Sequence, residues 1–521
     1  MYHIKSGIDK PDINYMLNKV KQIMARGVSV GDLNSIHRTF AAQADEVSRE
    51  ITENYGIANP NSAKQVATFL QNLEDAQVYE VCCIDGKWTT NKDAMAALAD
   101  AGYQFAIDML AYRKSKKYAE SIKSIMDSLG PDGRMHPNVT LTKTNRISYS
   151  SPALMNIPKD LLWYTVKPNK PGNVLISADI KNQEPNILIN MLQAESLKDA
   201  LVAEEGLYEY MFAKAFNCQA TLHIFVTNGH KPGLISNAEL ASLGYIPPVY
   251  YTPQKPSSDQ MFYKGDNIEA IDVTTVITPI GATEIPVLPD TVTLLSKSGV
   301  KYKLPVIWDS YDIKKLKKEG IIEIKGDILG VDVQCKGVKR KEFKVAWNAM
   351  TYGASIFGVR NMCKNIDGDT VYKYFSAIPE LKTYRSNCTK QAAELVQMTE
   401  TYFKTPLHAG EYNEYKLKRV LMDLPIQGTA ADVLSMLLRH TEEEIKARGL
   451  EGKLEIYYTR HDEIIFEADK EWVDTVGIFQ VKAIIRDMVE HQIDDWTPFK
   501  LEVEEIDASE WKDTDEDDIF E

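Results

Sequence analysis

Apolar residues recur at helical spacing in INYMLNKVKQIM (13–24) and FAIDMLAYRKSKKYAESIKSIM (105–126), which predicts a helix-rich stretch over residues 11–128. Around 131–180 the pattern turns to short strands and loops, ending in an apolar run from Val174 to Ala178 that meets Asp179; helical spacing resumes at about Gln183 and lasts to about 217. From 219 to 333 the chain reads as β: VTTVITPI, TVTLLS, VKYKLPVIW and GIIEIKG are strand-like, and nine of the 22 prolines fall in these 115 residues, which sets the segment apart as a module of its own. Helices return at about 340 and dominate to 447. The last is a long helix running to about Lys446 with Pro425 near its start, where proline is tolerated. Strand-like runs at 453–467 and 499–506 follow, the first folded around a tight turn at His461-Asp462-Glu463.

At 521 residues the chain can build several subdomains around more than one core. Hydrophobic content of 44% and charged content of 26% are ordinary for a globular protein. A net charge of −14 argues mildly against a nucleic-acid binder, but local charge decides, and basic clusters stand at Arg113-Lys114-Ser115-Lys116-Lys117 and from Lys336 to Lys344. Six cysteines, at 82, 83, 218, 335, 363 and 388, form no CxxC pair and no paired spacing with histidine, so reduced, mostly buried thiols are expected and a structural zinc is not. No run of about 18 apolar residues appears, and MYHIKSGIDK lacks the apolar core of a signal peptide, which gives the expectation of a soluble, cytoplasmic protein with no membrane partner.

Four segments carry candidate chemistry. Asp179, at the end of an apolar strand, either caps the following helix or meets a cation, because an unpaired carboxylate there is costly. The adjacent carboxylates Asp462 and Glu463 shift the balance: two carboxylate positions can hold a pair of divalent ions that activate one oxygen and stabilise another in an in-line displacement. In RKEFKVAWNAMTYGAS, Arg340, Lys344, Asn348 and Tyr352 recur every four residues, so a helix places them along one stripe suited to a triphosphate; a solvated basic face with a core tyrosine is the bland alternative. In RVLMDLPIQGTAADVLSMLLRH, Arg419, Asp423 and Gln427 are likewise four apart, a polar edge that either reaches a duplex minor groove or belongs to a capping arrangement.

Together these segments resemble the motifs of the family A DNA polymerases. Asp179 with Gln183-Glu184 resembles motif A, Arg340…Lys344…Tyr352-Gly353 motif B, and His461-Asp462-Glu463 motif C; TLTKTNRISYSSPALMNIP (140–158) resembles the primer-template segment with Arg146 and Asn156 in place, and Gln427-Gly428-Thr429-Ala430-Ala431-Asp432 a further signature. More weakly, MARGVSV and NPNSAKQVATFLQ resemble the start of the polymerase module and its thumb. The resemblance covers nearly all of 1–217 and 334–521. It implies an α+β right-hand fold of palm, fingers and thumb with an antiparallel palm sheet: a thumb-like helical region with the start of the palm at 1–130, palm with motif A at 131–217, fingers with motif B at 334–410, and palm with motif C and an acidic C-terminal tail at 411–521.

The same resemblance implies a template-directed, DNA-dependent DNA polymerase that transfers dNTPs to a primer 3′-hydroxyl. Asp179, Asp462 and Glu463 would be catalytic, with Asp179 and Asp462 binding two Mg²⁺ ions, for which Mn²⁺ can substitute, and Glu463 in support. Arg340, Lys344, Asn348, Tyr352, Gln183, Glu184 and Tyr208 would meet the nucleotide, Glu184 as the sugar gate; Arg146, Asn156, Arg419, Asp423, Gln427 and His461 would meet primer-template DNA. Asn348 departs from the family's usual Phe or Tyr, and Tyr208 from a phosphate-contacting His. Because the resemblance starts almost at Met1, no intrinsic proofreading domain is expected, and the form is phage-like, placing the protein in a bacterial or infected host cytoplasm. Two other readings stay open: a single-subunit RNA polymerase and a polymerase-like DNA-binding subunit without catalysis.

Motifs A and B lie 161 residues apart (340 − 179), where the family needs about a third of that, so the β-rich segment at 219–333 reads as an inserted domain. It holds 11 basic and 13 acidic residues, a poor match for a clamp that neutralises phosphates, and the expectation is a docking module for a replication partner, set against a bulky loop elaboration without one.

Overall fold

The structure is a computed structural model, and it describes residues 10–84, 86–204, 206–216, 219–228, 231–235, 239, 242, 261–263, 266–273, 275–283, 286–309, 313–328, 332–333, 335, 337–491 and 497–506. By internal packing the chain divides into two compact units, Met1–Ile187 with Val396–Tyr412 and Leu424–Glu521, and Leu188–Leu395 with Asn413–Asp423.

The first unit opens with the helices expected from apolar spacing. Ile13–Ala25 starts on Asp12, whose carboxylate accepts from the Tyr15 amide at 2.8 Å, and Leu33–Tyr55 starts on Asp32 and stops at Gly56, where φ of +67° suits a residue without Cβ. Leu33–Tyr55 packs against Gln104–Asp127, and Ile51, Val66, Leu70, Val78, Met95, Leu98 and Met109 fill a core of their own under the shorter helices around them. Arg113, in the first basic cluster, is turned inward: its Nη1 donates to the Thr90 carbonyl at 2.6 Å, so that guanidinium braces the helical region.

The same unit holds a four-stranded antiparallel sheet in the order Leu454–Arg460, Glu463–Asp469, Asn173–Lys181, Lys500–Glu505. Asn173–Lys181 is a central strand buried on both faces, which is why it reads as a continuous apolar run. The expected strands at 453–467 and 499–506 complete this sheet. A helix absent from the expected strand-and-loop pattern over 131–180, Lys159–Thr165, precedes it.

In the second unit, Phe343 and Trp347 of the helix Val338–Thr351 pack with Phe212 and Phe375, the ring centroids of Trp347 and Phe375 lying 4.9 Å apart. The segment at 219–333 is β-rich as expected. Among the described residues its strands follow one another in a nine-stranded order whose only parallel pair is Thr275–Thr278 with Gln219–Val226. Ala220 and Ile328 share a core with Ile268, Val292 and Leu304 from the strands next in that order; a second core gathers Leu222, Ile224, Val276, Leu316 and Ile324. Both cores are built from the segment's own residues.

One expectation about the long helix is corrected. It spans Glu414–Ala447, and Pro425 lies well inside it rather than in its first turn. An interior proline lacks the N–H that would serve the carbonyl four residues back and crowds that turn. Helix Pro379–Ala393 supplies a replacement: Cys388 Sγ donates to the Leu421 carbonyl at 3.7 Å, and beside it Tyr384 Oη donates to the Met422 carbonyl at 2.7 Å. Among the described residues no helix is long and apolar enough to cross a membrane.

Candidate active site

The sheet register brings the motif A and motif C carboxylates together. Asp179 is the cross-strand partner of Glu463 on one side and of Glu502 on the other, and residues directly opposite project to the same face. Asp462 lies one residue before Glu463, in the two-residue hairpin turn His461-Asp462 whose first residue has φ of +51°; its carbonyl accepts from the Ile180 amide at 3.4 Å. The position before the helix Gln183–Leu192 belongs to Asn182, itself left-handed at φ +53°, so Asp179 is not the capping residue of that helix.

Asp179 is 4% exposed, and its Oδ2 is buried without a hydrogen-bond partner. Two ammonium groups stand beside it: Lys181 Nζ at 3.0 Å and Lys159 Nζ at 3.7 Å. Lys181 also pairs with Glu502 at 2.6 Å, and Lys159 with Glu463 at 3.2 Å while lying 4.5 Å over the Trp163 ring. Burial pulls the Lys159 pKa down, but the Glu463 and Asp179 carboxylates outweigh it and leave the ammonium more firmly protonated than usual. Glu463 accepts from Ser177 Oγ; its burial raises its pKa, an effect that Lys159 and the Ser177 bond oppose. Lys159 and Lys181 escaped the sequence reading. Lys181 was traceable, two residues after Asp179 on the same strand face, whereas Lys159 arrives through a helix that the pattern did not show.

The carboxylates fit a hard divalent cation. A buried carboxylate flanked by two ammonium groups is a preorganised anionic position, and oxygen donors suit Mg²⁺. Among the described residues no group of three or more Asp, Glu, His or Cys side chains could hold a metal ion alone. That agrees with Mg²⁺ bound by one or two carboxylates and completed by phosphate oxygens and water.

Of the primer-template candidates, Arg146, Asn156, Gln427 and His461 belong to this unit, and Arg419 and Asp423 to the second. Arg146 Nη2 donates to Glu184 Oε1 at 2.5 Å, fixing the carboxylate three residues after the Asp179 strand ends. His461, exposed at the hairpin tip, is nevertheless crowded by the chain: loss of hydration, then the Arg460 and Arg146 guanidiniums, push its pKa down to about 4, so it is neutral at pH 7. Arg460 donates to the Ile157 carbonyl at 3.0 Å, tying the hairpin to the turn Leu154–Asn156, where Asn156 is exposed. Gln183 is buried; Gln427 is half-buried on the long helix, which also carries the exposed Arg419 and the half-buried Asp423.

The signature around Gln427 has a structural basis. Thr429 Oγ1 donates to the Pro425 carbonyl at 2.6 Å and accepts from the Tyr402 amide at 2.9 Å, while Asp432, fully buried, accepts from Thr401 and, at 2.8 Å, from Thr405. These bonds pin the turn between the strands Met398–Glu400 and Pro406–His408.

In the second unit, Arg340, Lys344 and Asn348 follow one stripe of the helix Val338–Thr351, and Tyr352 stands at its C-cap. The structure gathers them on Tyr208, which is 1% exposed: its hydroxyl donates to Asn348 Oδ1 at 3.1 Å, and Arg340 Cζ and Lys344 Nζ lie 5.9 and 5.8 Å from its ring centroid. Tyr208 thus backs the cations from below.

The family profile described as DNA polymerase family A matches residues 31–223 and 325–513, leaving a gap within the β-rich segment, and a bacterial Ig-like domain (group 4) profile matches 268–331. DNA polymerase I of Lactococcus lactis subsp. lactis is 28% identical over 171 residues, 31% of this chain and 19% of the relative; DNA polymerase I of Caldicellulosiruptor bescii is 25% identical over 188 residues, 34% and 21%. The matched stretch therefore spans about a fifth of those relatives' length. The POL domain of Pol1 from M. smegmatis, solved in complex with DNA primer-template and dNTP, superimposes with a TM-score of 0.59 at 18% identity, covering 94% of this chain and 68% of that one, and so shares its polymerase fold. Since the family profile runs through both flanks of the insertion and takes in well over half of the residues, the chain belongs to DNA polymerase family A.

Proposed function

We propose that this chain is a template-directed DNA polymerase that extends a primer 3′-hydroxyl with dNTPs. The observation that carries the reading is the register of the sheet, which sets Asp179 opposite Glu463 with Asp462 at the adjoining turn. Asp179 and Asp462 would hold two Mg²⁺ ions, with Glu463 in support. When bound, these ions supply Lewis-acid activation of the attacking hydroxyl and charge neutralisation on the phosphates. Lys159 and Lys181 place two ammonium groups beside Asp179, and Lys159 also pairs with Glu463. Arg340 and Lys344 bind the triphosphate, the one by its planar fork and the other as a point charge, and Tyr352 packs near the nascent pair. Glu184, clamped by Arg146, excludes a ribose 2′-hydroxyl, and Arg146, Asn156, Arg419 and Gln427 orient the duplex through its minor groove. The β-rich insertion, with cores of its own and a likeness to Ig-like domains, is read as a docking module for a replication protein.

Primer extension by the full chain in Mg²⁺ tests this. Extension with dNTPs, its loss by at least about a thousandfold in Asp179→Ala and Asp462→Ala, and retained primer-template binding by both variants are expected. Near-normal synthesis by either variant rejects the metal assignment; preference for rNTPs points to an RNA polymerase; no synthesis by the wild-type chain in Mg²⁺ or Mn²⁺ points to a binding subunit.

A further inference from the structure

Arg340 is held by a partner. Its Nε donates to Oε1 of Glu209, in the first turn of the helix Leu207–Ala215, directly after the Tyr208 on whose ring the guanidinium rests. A bond through Nε uses the inner edge of the guanidinium and leaves its Nη donors in a plane set by the carboxylate and the ring. The other Glu209 oxygen, Oε2, is buried without a hydrogen-bond partner and folds over Gly206, where φ is +110° and a Cβ would collide with it. Glutamate in a helix's first turn commonly reaches back to a backbone amide as a cap. Here Oε2 makes no such bond, and Oε1 is given to Arg340. An orphaned carboxylate oxygen is costly, and the contact it leaves in place is the grip on Arg340.

We propose that Glu209 is the positioning residue for Arg340: it fixes the guanidinium by its Nε edge, against Tyr208, so that the Nη fork is presented to the phosphate oxygens of the incoming nucleotide. The inference rests on reading Arg340 as a triphosphate contact. Pairing with Glu209 also offsets the long-range pull of Arg340, so Arg340 contributes through geometry, which a bidentate phosphate contact rewards.

Single-turnover incorporation of one dNTP on a primer-template by the full chain separates nucleotide affinity from the maximal rate. Arg340→Ala is expected to weaken apparent dNTP binding about tenfold. Glu209→Ala is expected to weaken it about fivefold with the maximal rate and the primer-template Kd within about twofold, and Glu209→Gln, which keeps the acceptor on Nε, about twofold. Because Glu209 acts through Arg340, the double variant Glu209→Ala/Arg340→Ala should bind dNTP no worse than Arg340→Ala alone. Wild-type affinity in both Glu209 variants alongside a weakened Arg340→Ala overturns the inference and leaves the triphosphate reading standing, whereas wild-type affinity in Arg340→Ala overturns both. Tighter binding in Glu209→Ala, or a defect that adds in full to that of Arg340→Ala, also overturns it. A Glu209→Ala chain that fails to fold leaves Glu209→Gln to decide, by the presence or absence of its smaller shift in affinity.

Discussion

Glu184 follows the buried Asp179 strand by three residues and is held by Arg146 at 2.5 Å, so its carboxylate cannot swing away at no cost when a larger sugar arrives. Replacing it with alanine removes both the bulk and the anchored charge. Glu184→Ala should raise the ratio of rNTP to dNTP incorporation efficiency by at least about tenfold, since discrimination built on a polar group held in place is steep. An unchanged ratio would remove Glu184 from sugar selection. Asp432 makes a different residue-scale point. Fully buried, it has its pKa raised to about 6 by burial, against which the Thr401 and Thr405 hydrogen bonds work. Its folded pKa lies above its unfolded one, so its contribution to stability is greatest below about pH 4, falls as pH rises through about 6, and then stays low, a swing of at most about 3 kcal/mol. Asp432→Asn cannot titrate there, so the melting temperature of the variant relative to wild type should rise between pH 4 and pH 7. A difference that does not change with pH would show that Asp432 is not the titrating group.

At the scale of elements, the strands and most helices were legible because their periodicity is local, and the carboxylates were legible because strand ends and tight turns announce them. The helix Lys159–Thr165 was not: its seven residues are too few to show a period, and with it Lys159, the counter-ion of Glu463, went unseen. Nor was the place of Pro425, because what makes an interior proline tolerable there is supplied 33 residues earlier in sequence, by Cys388 on another helix, with Tyr384 beside it. Tyr384 is half-buried and its hydroxyl bonds the Met422 carbonyl, so Tyr384→Phe removes that bond with almost no change of shape. The expected cost is about 1 to 2 kcal/mol, read as a lowered melting temperature or denaturant midpoint, with Mg²⁺-dependent extension at low temperature preserved. An unaltered midpoint would mean that the freed carbonyl finds water instead and that the helix does not depend on its neighbour.

For the whole molecule, the open question is what the β-rich insertion adds to a catalytic frame that lies outside it. Three observations bear on its autonomy. Its two cores are drawn from its own strands, Gln219 at its beginning pairs with Asp327 near its end so that the chain enters and leaves the sheet side by side, and the polymerase family profile breaks off at 223 and resumes at 325. Facing residues on antiparallel strands are only about 5 Å apart, so a short flexible linker can replace the module without pulling its flanks. Deleting 220–326 across such a linker should therefore leave single-nucleotide insertion within about tenfold of wild type while shortening products under single-hit conditions or abolishing binding of a replication partner, because loss of a docking module affects residence on DNA and not the chemical step. The helices beside the insertion carry Arg340 and Tyr208, so a disturbance of nucleotide capture is the competing outcome. Single-turnover rates distinguish the two. If a folded deletion variant loses insertion of the first nucleotide, the β-rich module belongs to the catalytic architecture, and its likeness to an Ig-like domain reflects scaffold rather than docking.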